Sequence, residues 1–149
     1  MMATAGSPRP CAALVLAADM QPGSALAVFA GVENKCLAEA GGQPLLAHVL
    51  TALRHSHYVT RICISTNTPE LLRGDVKIAT LLEEYDAELI PSASSAPESV
   101  IDAVRRLPES LPLIVTTGDN VMLTAEMVDY FWTEAEERES EVMAGIVTA

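Results

Sequence analysis

Lys35 and Asp119 are the two side chains whose sequence surroundings could support chemistry on a charged ligand. Lys35 stands in Asn34-Lys35-Cys36-Leu37, after a long loop containing Pro22 and Gly23, and ahead of Gly41-Gly42-Gln43-Pro44-Leu45-Leu46, which opens an amphipathic segment. A lysine so placed can meet phosphate groups held at the ends of strands. Asp119 follows an apolar run, directly behind Gly118, and can offer its carboxylate to magnesium, a hard cation that needs few protein ligands when phosphates supply the others. Backbone amides after Ala18, and the hydroxyls of Ser92, Ser94 and Ser95, could read a base through hydrogen bonds rather than charge.

These residues need a frame, and the hydrophobic pattern supplies one. Cys11–Ala18 is a continuous apolar run of strand length, as expected of a strand covered on both faces of a parallel sheet. Residues 19–34 read as a loop. Pro44 suits a first helical position, and Leu45, Leu46, Val49, Leu50 and Leu53 then share one helix face. Further strands are expected at 61–66, 87–90, 113–117 and 142–147. Between them lie a turn at Thr68-Pro69 and helices near 78–85, around Val100, Ile101, Val104 and Leu107, and from Thr124, with Met127, Val128, Phe131, Trp132 and Ala135 facing inward. Alternation of this kind predicts a layered α/β/α domain with a mainly parallel sheet and a ligand site at the carboxyl ends of its strands. The loops after Ala18, Ile90 and Thr117 should share that rim.

Composition limits the possible partners. The 149 residues are 50% hydrophobic, enough to bury one core, with residues 1–10 expected as a disordered tail and 11–149 as the domain. A net charge of −11 is concentrated in the second half: residues 76–149 hold fifteen acids and four bases, against five of each in 1–75. Such a surface repels polynucleotides, so no nucleic-acid partner is expected, and an anionic ligand must be met locally. No apolar segment is long enough to span a membrane. Cys11, Cys36 and Cys63 form neither a disulfide framework nor a zinc motif and suit a reducing cytoplasm. Cys36 is the one whose thiol a neighbouring lysine could acidify. His48, His55 and His57 are expected in solvent around a helix end, and Glu134–Glu141 as a solvated helix face.

The order Ala-Leu-Val-Leu-Ala-Ala, loop, Lys-Cys-Leu, Gly-Gly-Gln-Pro-Leu-Leu, strand, Ser-rich loop, Gly-Asp, Leu-Thr-Ala-Glu-Met-Val resembles the nucleotidyltransferase family typified by molybdenum-cofactor guanylyltransferase and sugar-phosphate nucleotidylyltransferases. The resemblance runs from about Ala12 to the end of the chain. It implies a Rossmann-like domain, a nucleoside triphosphate and magnesium, and transfer of a nucleoside monophosphate to a small phosphorylated acceptor with release of pyrophosphate. By the same resemblance Lys35 matches the phosphate-binding lysine and Asp119 the metal-binding aspartate. Ala17, Ala18, Ser94, Ser95 and Gly118 would line the nucleotide.

The chain also departs from that pattern. Where the family carries a glycine-rich loop with an arginine, this sequence has Ala17-Ala18-Asp19-Met20-Gln21-Pro22-Gly23-Ser24, and Asn34 stands where a proline is usual. By the resemblance a second metal-binding aspartate is expected well downstream of Gly118-Asp119, and this sequence ends at Ala149 on what reads as a strand. The reading is therefore of the nucleotide-binding half of such an enzyme, truncated at its C-terminus, or of a short relative that covers its last strand by forming a homodimer or leaves that edge exposed. Two alternatives stand beside it. One is a non-catalytic nucleotide-binding or regulatory module on the same fold; the other is an unrelated flavodoxin-like receiver, which would need paired acids at the first strand end.

Overall fold

The computed structural model describes residue 6 and residues 8–19, 23–109 and 111–145. The apolar run forms strand β1 (Cys11–Leu16), buried along Cys11–Val15. Helix α1 (Ala25–Ala30) follows within the segment expected to be a loop. It forms because Ser24 caps its start through the Ala27 N–H and Gly31, at φ 68°, ends it in the left-handed region. Six residues that leave Leu26, Val28 and Phe29 exposed give no amphipathic signal to read. A single 3-10 turn over Lys35–Leu37 comes next, then a two-stranded hairpin of β2 (Glu39–Ala40) and β3 (Gln43–Pro44). Gly41 and Gly42 make its turn at φ 59° and 79°, a pairing that side chains disfavour.

Helix α2 (Leu45–His55) buries Leu45, Leu46, Val49, Leu50 and Leu53 as expected, with Pro44 just outside it rather than at its first position. Strand β4 (Val59–Thr66) leads into two short helices, α3 (Pro69–Gly74) and α4 (Val76–Glu84). The turn expected at Thr68-Pro69 is thus the start of α3, with Pro69 in its first turn, and Asp75 separates the two helices by capping α4 through the Ile78 N–H. Strand β5 (Glu88–Pro91), helix α5 (Ala96–Arg106), strand β6 (Leu113–Thr117) and helix α6 (Ala125–Glu137) complete the order.

The main sheet is parallel throughout, in the order β5-β4-β1-β6. Alternation along β1 divides the core. Ala13 and Val15 join the side chains of α2, α4 and α6 on one face, including Leu46, Leu50, Ile78 and Trp132, while Ala12 and Leu14 meet Ala103 and Leu107 on the face under α5. Each large aliphatic side chain so buried stabilises the fold by about 1.5–3 kcal/mol. In register, Leu16 lies opposite Ser65 and Thr117, and Ser65 opposite Ile90, so the segments after β1, β4, β5 and β6 do share one rim.

Three expectations about packing fail. On α5 the buried positions are Ser99 and Ala103, with Leu107 just beyond, whereas Ile101 and Val104 are 49% and 54% exposed. The small side chains face the sheet, and Val104 lies toward β6 in a groove that Val115 shares. On α6 Val128, Trp132 and Ala135 are buried and Met127 is not. Residues 142–145 form no strand, while 146 and 147 lie outside the described residues. Val142–Gly145 instead border a groove of about 1080 Å³ beside β6, with Val104, Val115 and Phe131, and Gly145 packs against the Phe131 ring. Of the expected tail, 1–5 and 7 are outside the described residues. Arg9 is fixed on α6, pairing with Glu136 at 2.9 Å and accepting the Trp132 indole N–H at 2.7 Å.

Candidate functional site

The rim brings Lys35 and Asp119 together. Their side chains, 84 positions apart in sequence, pair at 3.1 Å between Nζ and Oδ2, each about one-third exposed. The lysine is held from its backbone. Asn34, fully buried, accepts the Cys36 N–H at 2.9 Å with its side-chain oxygen and so caps the 3-10 turn that carries Lys35. Its side-chain nitrogen donates to the Ala17 carbonyl at 2.9 Å and to Thr68 Oγ1 at 3.0 Å, tying that turn to the ends of β1 and β4. Thr66 Oγ1 donates to the same carbonyl at 3.3 Å and accepts the Thr68 N–H at 3.1 Å. Asn34 is therefore the hub of the loop.

Asp119 is placed by Gly118. The Gly118 N–H donates to the Leu16 carbonyl at 2.9 Å, extending the β1–β6 ladder by one residue. A Cβ at 118 would stand 2.8 Å from Cys36 Sγ and 3.2 Å from the Ala17 Cβ. Only glycine lets the two loops close to this distance, and that closure brings the Asp119 carboxylate to the Lys35 ammonium.

Electrostatics at the pair are mutually reinforcing. Burial opposes the Lys35 charge, but the hydrogen bond and charge of Asp119, with Asp19 behind it, outweigh burial and hold the ammonium above its ordinary pKa. Burial likewise opposes ionisation of Asp119, and Thr117 together with Lys35 draws its carboxyl below the usual range. The Cys36 thiol is not acidified by its neighbouring lysine. Burial, helped by Asp119 and opposed only in part by Lys35, pushes it up to about 12, so it packs against Gly118 as an inert small hydrophobe.

Asp19 is turned into its own loop. Its Oδ2 accepts the Lys35 N–H at 3.1 Å and the Ser24 hydroxyl at 3.3 Å, while Asn67 bonds both its N–H and its carbonyl at 3.1 Å. Two carboxylates thus act on one residue, Asp19 at the Lys35 backbone and Asp119 at its ammonium. Both are oxygen donors of the kind magnesium takes. Among the described residues no three His, Cys, Asp or Glu side chains are grouped to hold a metal ion by themselves. That donor set fits a hard cation that brings most of its ligands as phosphate and water oxygens.

The remaining predicted residues divide. Ala17 is fully buried, its N–H on the Ser65 carbonyl at 2.8 Å and its own carbonyl taken by Asn34 and Thr66, so its polar atoms serve the loop. Ala18 lines a small cavity of about 50 Å³ with Leu16, Ser65, Ser95, Ala96 and Ser99. Ser95 caps α5 through the Glu98 N–H, and both Ser94 and Ser95 bond the Glu98 carboxylate. Ser65, unmarked in the sequence because it lies inside a strand, has the one buried side-chain hydroxyl among the described residues that lacks a partner. Ser99 is also newly visible, accepting the Ala93 N–H at 2.9 Å and donating to the Ser95 carbonyl at 3.0 Å. Away from this rim, His48, His55 and His57 border a groove of about 540 Å³ between α2 and α6, where His57 pairs with Asp129.

The family model described as the MobA-like NTP transferase domain matches residues 13–147. The chain belongs to that family. This NTP transferase domain is similar to a 3-deoxy-manno-octulosonate cytidylyltransferase of Chlorobium phaeovibrioides, 28% identical over 101 residues, which are 66% of the chain and 38% of that relative. It is 31% identical over 99 residues to the enzyme of the same name from Anaeromyxobacter, covering 64% of the chain and again 38% of the relative. A solved CMP:2-keto-3-deoxy-manno-octonic acid synthetase, complexed with CTP, shares the fold with a TM-score of 0.62 at 14% identity, over 88% of this chain and 49% of that one. The chain thus spans well under half the length of the curated relatives it matches. No described helix is long and apolar enough to cross a membrane.

Proposed function

We propose that this NTP transferase domain binds a nucleoside triphosphate at the Lys35–Asp119 rim and supplies the nucleotide half of a nucleotidyltransferase. In the reaction an acceptor oxygen, on a small phosphorylated molecule, attacks the α-phosphorus. The α–β phosphoanhydride bond breaks, pyrophosphate leaves with that electron pair, and the acceptor's proton passes to solvent. The observation that carries this reading is the 3.1 Å pairing of a lysine and an aspartate, 84 positions apart in sequence, at the rim formed by the carboxyl ends of parallel strands.

Lys35 binds the phosphates, and its ammonium stays charged because its neighbours hold its pKa above the ordinary value. That charge offsets what develops on the transferring and leaving groups, in a site built by positioning rather than by a covalent nucleophile. Asn34 orients the lysine's turn and Gly118 sets the approach of Asp119. Asp119, with Asp19 beside Lys35, would hold a magnesium ion, which when bound neutralises part of the triphosphate charge. The base lies toward α5, where Ala18, Ser95 and the unpartnered Ser65 hydroxyl border a small cavity, with Ser94 beside them on Glu98. Glu98 already occupies the N-terminus of α5, which favours an uncharged base edge there over a phosphate.

The names of the relatives make CTP the first nucleotide to test. Calorimetric titration of the chain with each of the four magnesium–NTP complexes should show binding of one. Lys35→Ala and Asp119→Ala should each weaken it at least about tenfold while leaving a folded domain. Unchanged affinity in both variants would refute the site.

A further inference from the structure

Asp19 is the feature of this rim that a phosphate-binding loop does not need. Its position is fixed rather than incidental: four hydrogen bonds with Lys35, Ser24 and Asn67 hold its side chain and backbone at the end of β1. The donors to its carboxylate are a backbone N–H and a hydroxyl, both neutral, so its charge is not cancelled within the loop. It is instead felt by Lys35, whose ammonium is already paired with Asp119. Around the phosphate-binding lysine there are therefore two carboxylates and one ammonium, a net negative seat for an anionic ligand.

On the proposed nucleotide-binding reading, we infer that Asp19 makes this cleft select the divalent-cation complex of a nucleoside triphosphate against the metal-free nucleotide. A metal-free triphosphate brings roughly four negative charges to this seat at neutral pH, and its magnesium complex roughly two. A fixed like charge within about a Debye length of a phosphate, in a partly exposed and salt-screened site, weakens binding by about tenfold. The same oxygen that repels the bare triphosphate is attractive to its hard cation. Discrimination therefore needs no conformational change, only a fixed negative charge beside the lysine.

The test is the affinity of the 149-residue chain for CTP, or whichever NTP the wild type binds, measured by calorimetry with magnesium and again with EDTA. Asp19→Asn keeps an acceptor for the Lys35 N–H and removes the charge; Asp19→Ser is a second uncharged variant, and Ser24→Ala removes the hydrogen bond to Asp19, together with the α1 cap, while keeping the charge. The uncharged variants should bind metal-free nucleotide about tenfold or more tighter than wild type, narrowing the gap to the magnesium complex. Ser24→Ala should keep the wild-type ratio. Metal-free affinity within twofold of wild type in folded uncharged variants would overturn the inference, and so would loss of both nucleotide forms in them. If the wild type binds neither form of any NTP, the nucleotide-binding reading itself fails.

Discussion

Replacing Gly118 by alanine should destabilise this domain through one identifiable contact. The added methyl would sit 2.8 Å from Cys36 Sγ, nearer than real Cβ contacts come, and 3.2 Å from the Ala17 Cβ. Neither neighbour can retreat easily. Cys36 and Ala17 are both fully buried, and the Ala17 backbone is fixed by Asn34, Thr66 and Ser65. Overpacking of this kind costs about 1–3 kcal/mol, which for a domain of this size lowers the melting temperature by about 3–10 °C. The assay is a double-mutant cycle by urea denaturation, with Gly118→Ala made in the wild type and in Cys36→Ala. Removing the sulfur relieves the closest contact, so the penalty should shrink by about 1 kcal/mol or more in the second background. An unchanged melting temperature for Gly118→Ala would refute the close packing. An equal penalty in both backgrounds would show that the strain does not come from Cys36.

Asn34→Ala should cost about 2–4 kcal/mol in urea titration, because it strands the Ala17 carbonyl, the Thr68 hydroxyl and the Cys36 N–H at a fully buried position. Iodoacetamide at pH 8 should label none of the three cysteines appreciably in the native chain and all three in urea, since all are buried and burial pushes Cys11 and Cys36 up to about 12. The stability difference between wild type and Asp119→Asn should be flat at neutral pH and vanish in acid. The folded carboxyl titrates below its ordinary 3.8, so its contribution is present above that value and is lost as pH falls through the folded pKa. For Lys35→Met the sign reverses: its contribution is present below the ordinary 10.5 and is lost as pH rises through the higher folded pKa.

The strands expected at 11–18, 61–66, 87–90 and 113–117 form as β1, β4, β5 and β6, legible from runs of apolar and β-branched residues between turn signals, and helix α2 because its face repeats at helical spacing. The pairing of Lys35 with Asp119 could be anticipated from their places at strand ends, since a parallel sheet must bring such ends to one rim. What was not legible depends on contacts across the sequence. Helix α1 is too short and too exposed to carry a pattern, and α5 turns on its small residues rather than its large ones. Asn34 reads as a missing proline until its buried side chain is seen bonding two strand ends, and Ser65 reads as one more strand residue until its hydroxyl is found without a partner. The sequence shows the positive charge beside Cys36 but not the complete burial that outweighs it.

The most direct measurement is backbone amide NMR mapping of magnesium–CTP, and of the other three NTPs, onto the chain. Saturable shifts should concentrate at Ala18, Lys35, Gly118, Asp119 and Ser95, and should disappear for the phosphate-side residues in Lys35→Ala while the rest of the spectrum stays dispersed. Saturable shifts confined to the groove around His55, His57 and Asp129, or no saturable shifts with any NTP, would contradict a nucleotide site at this rim.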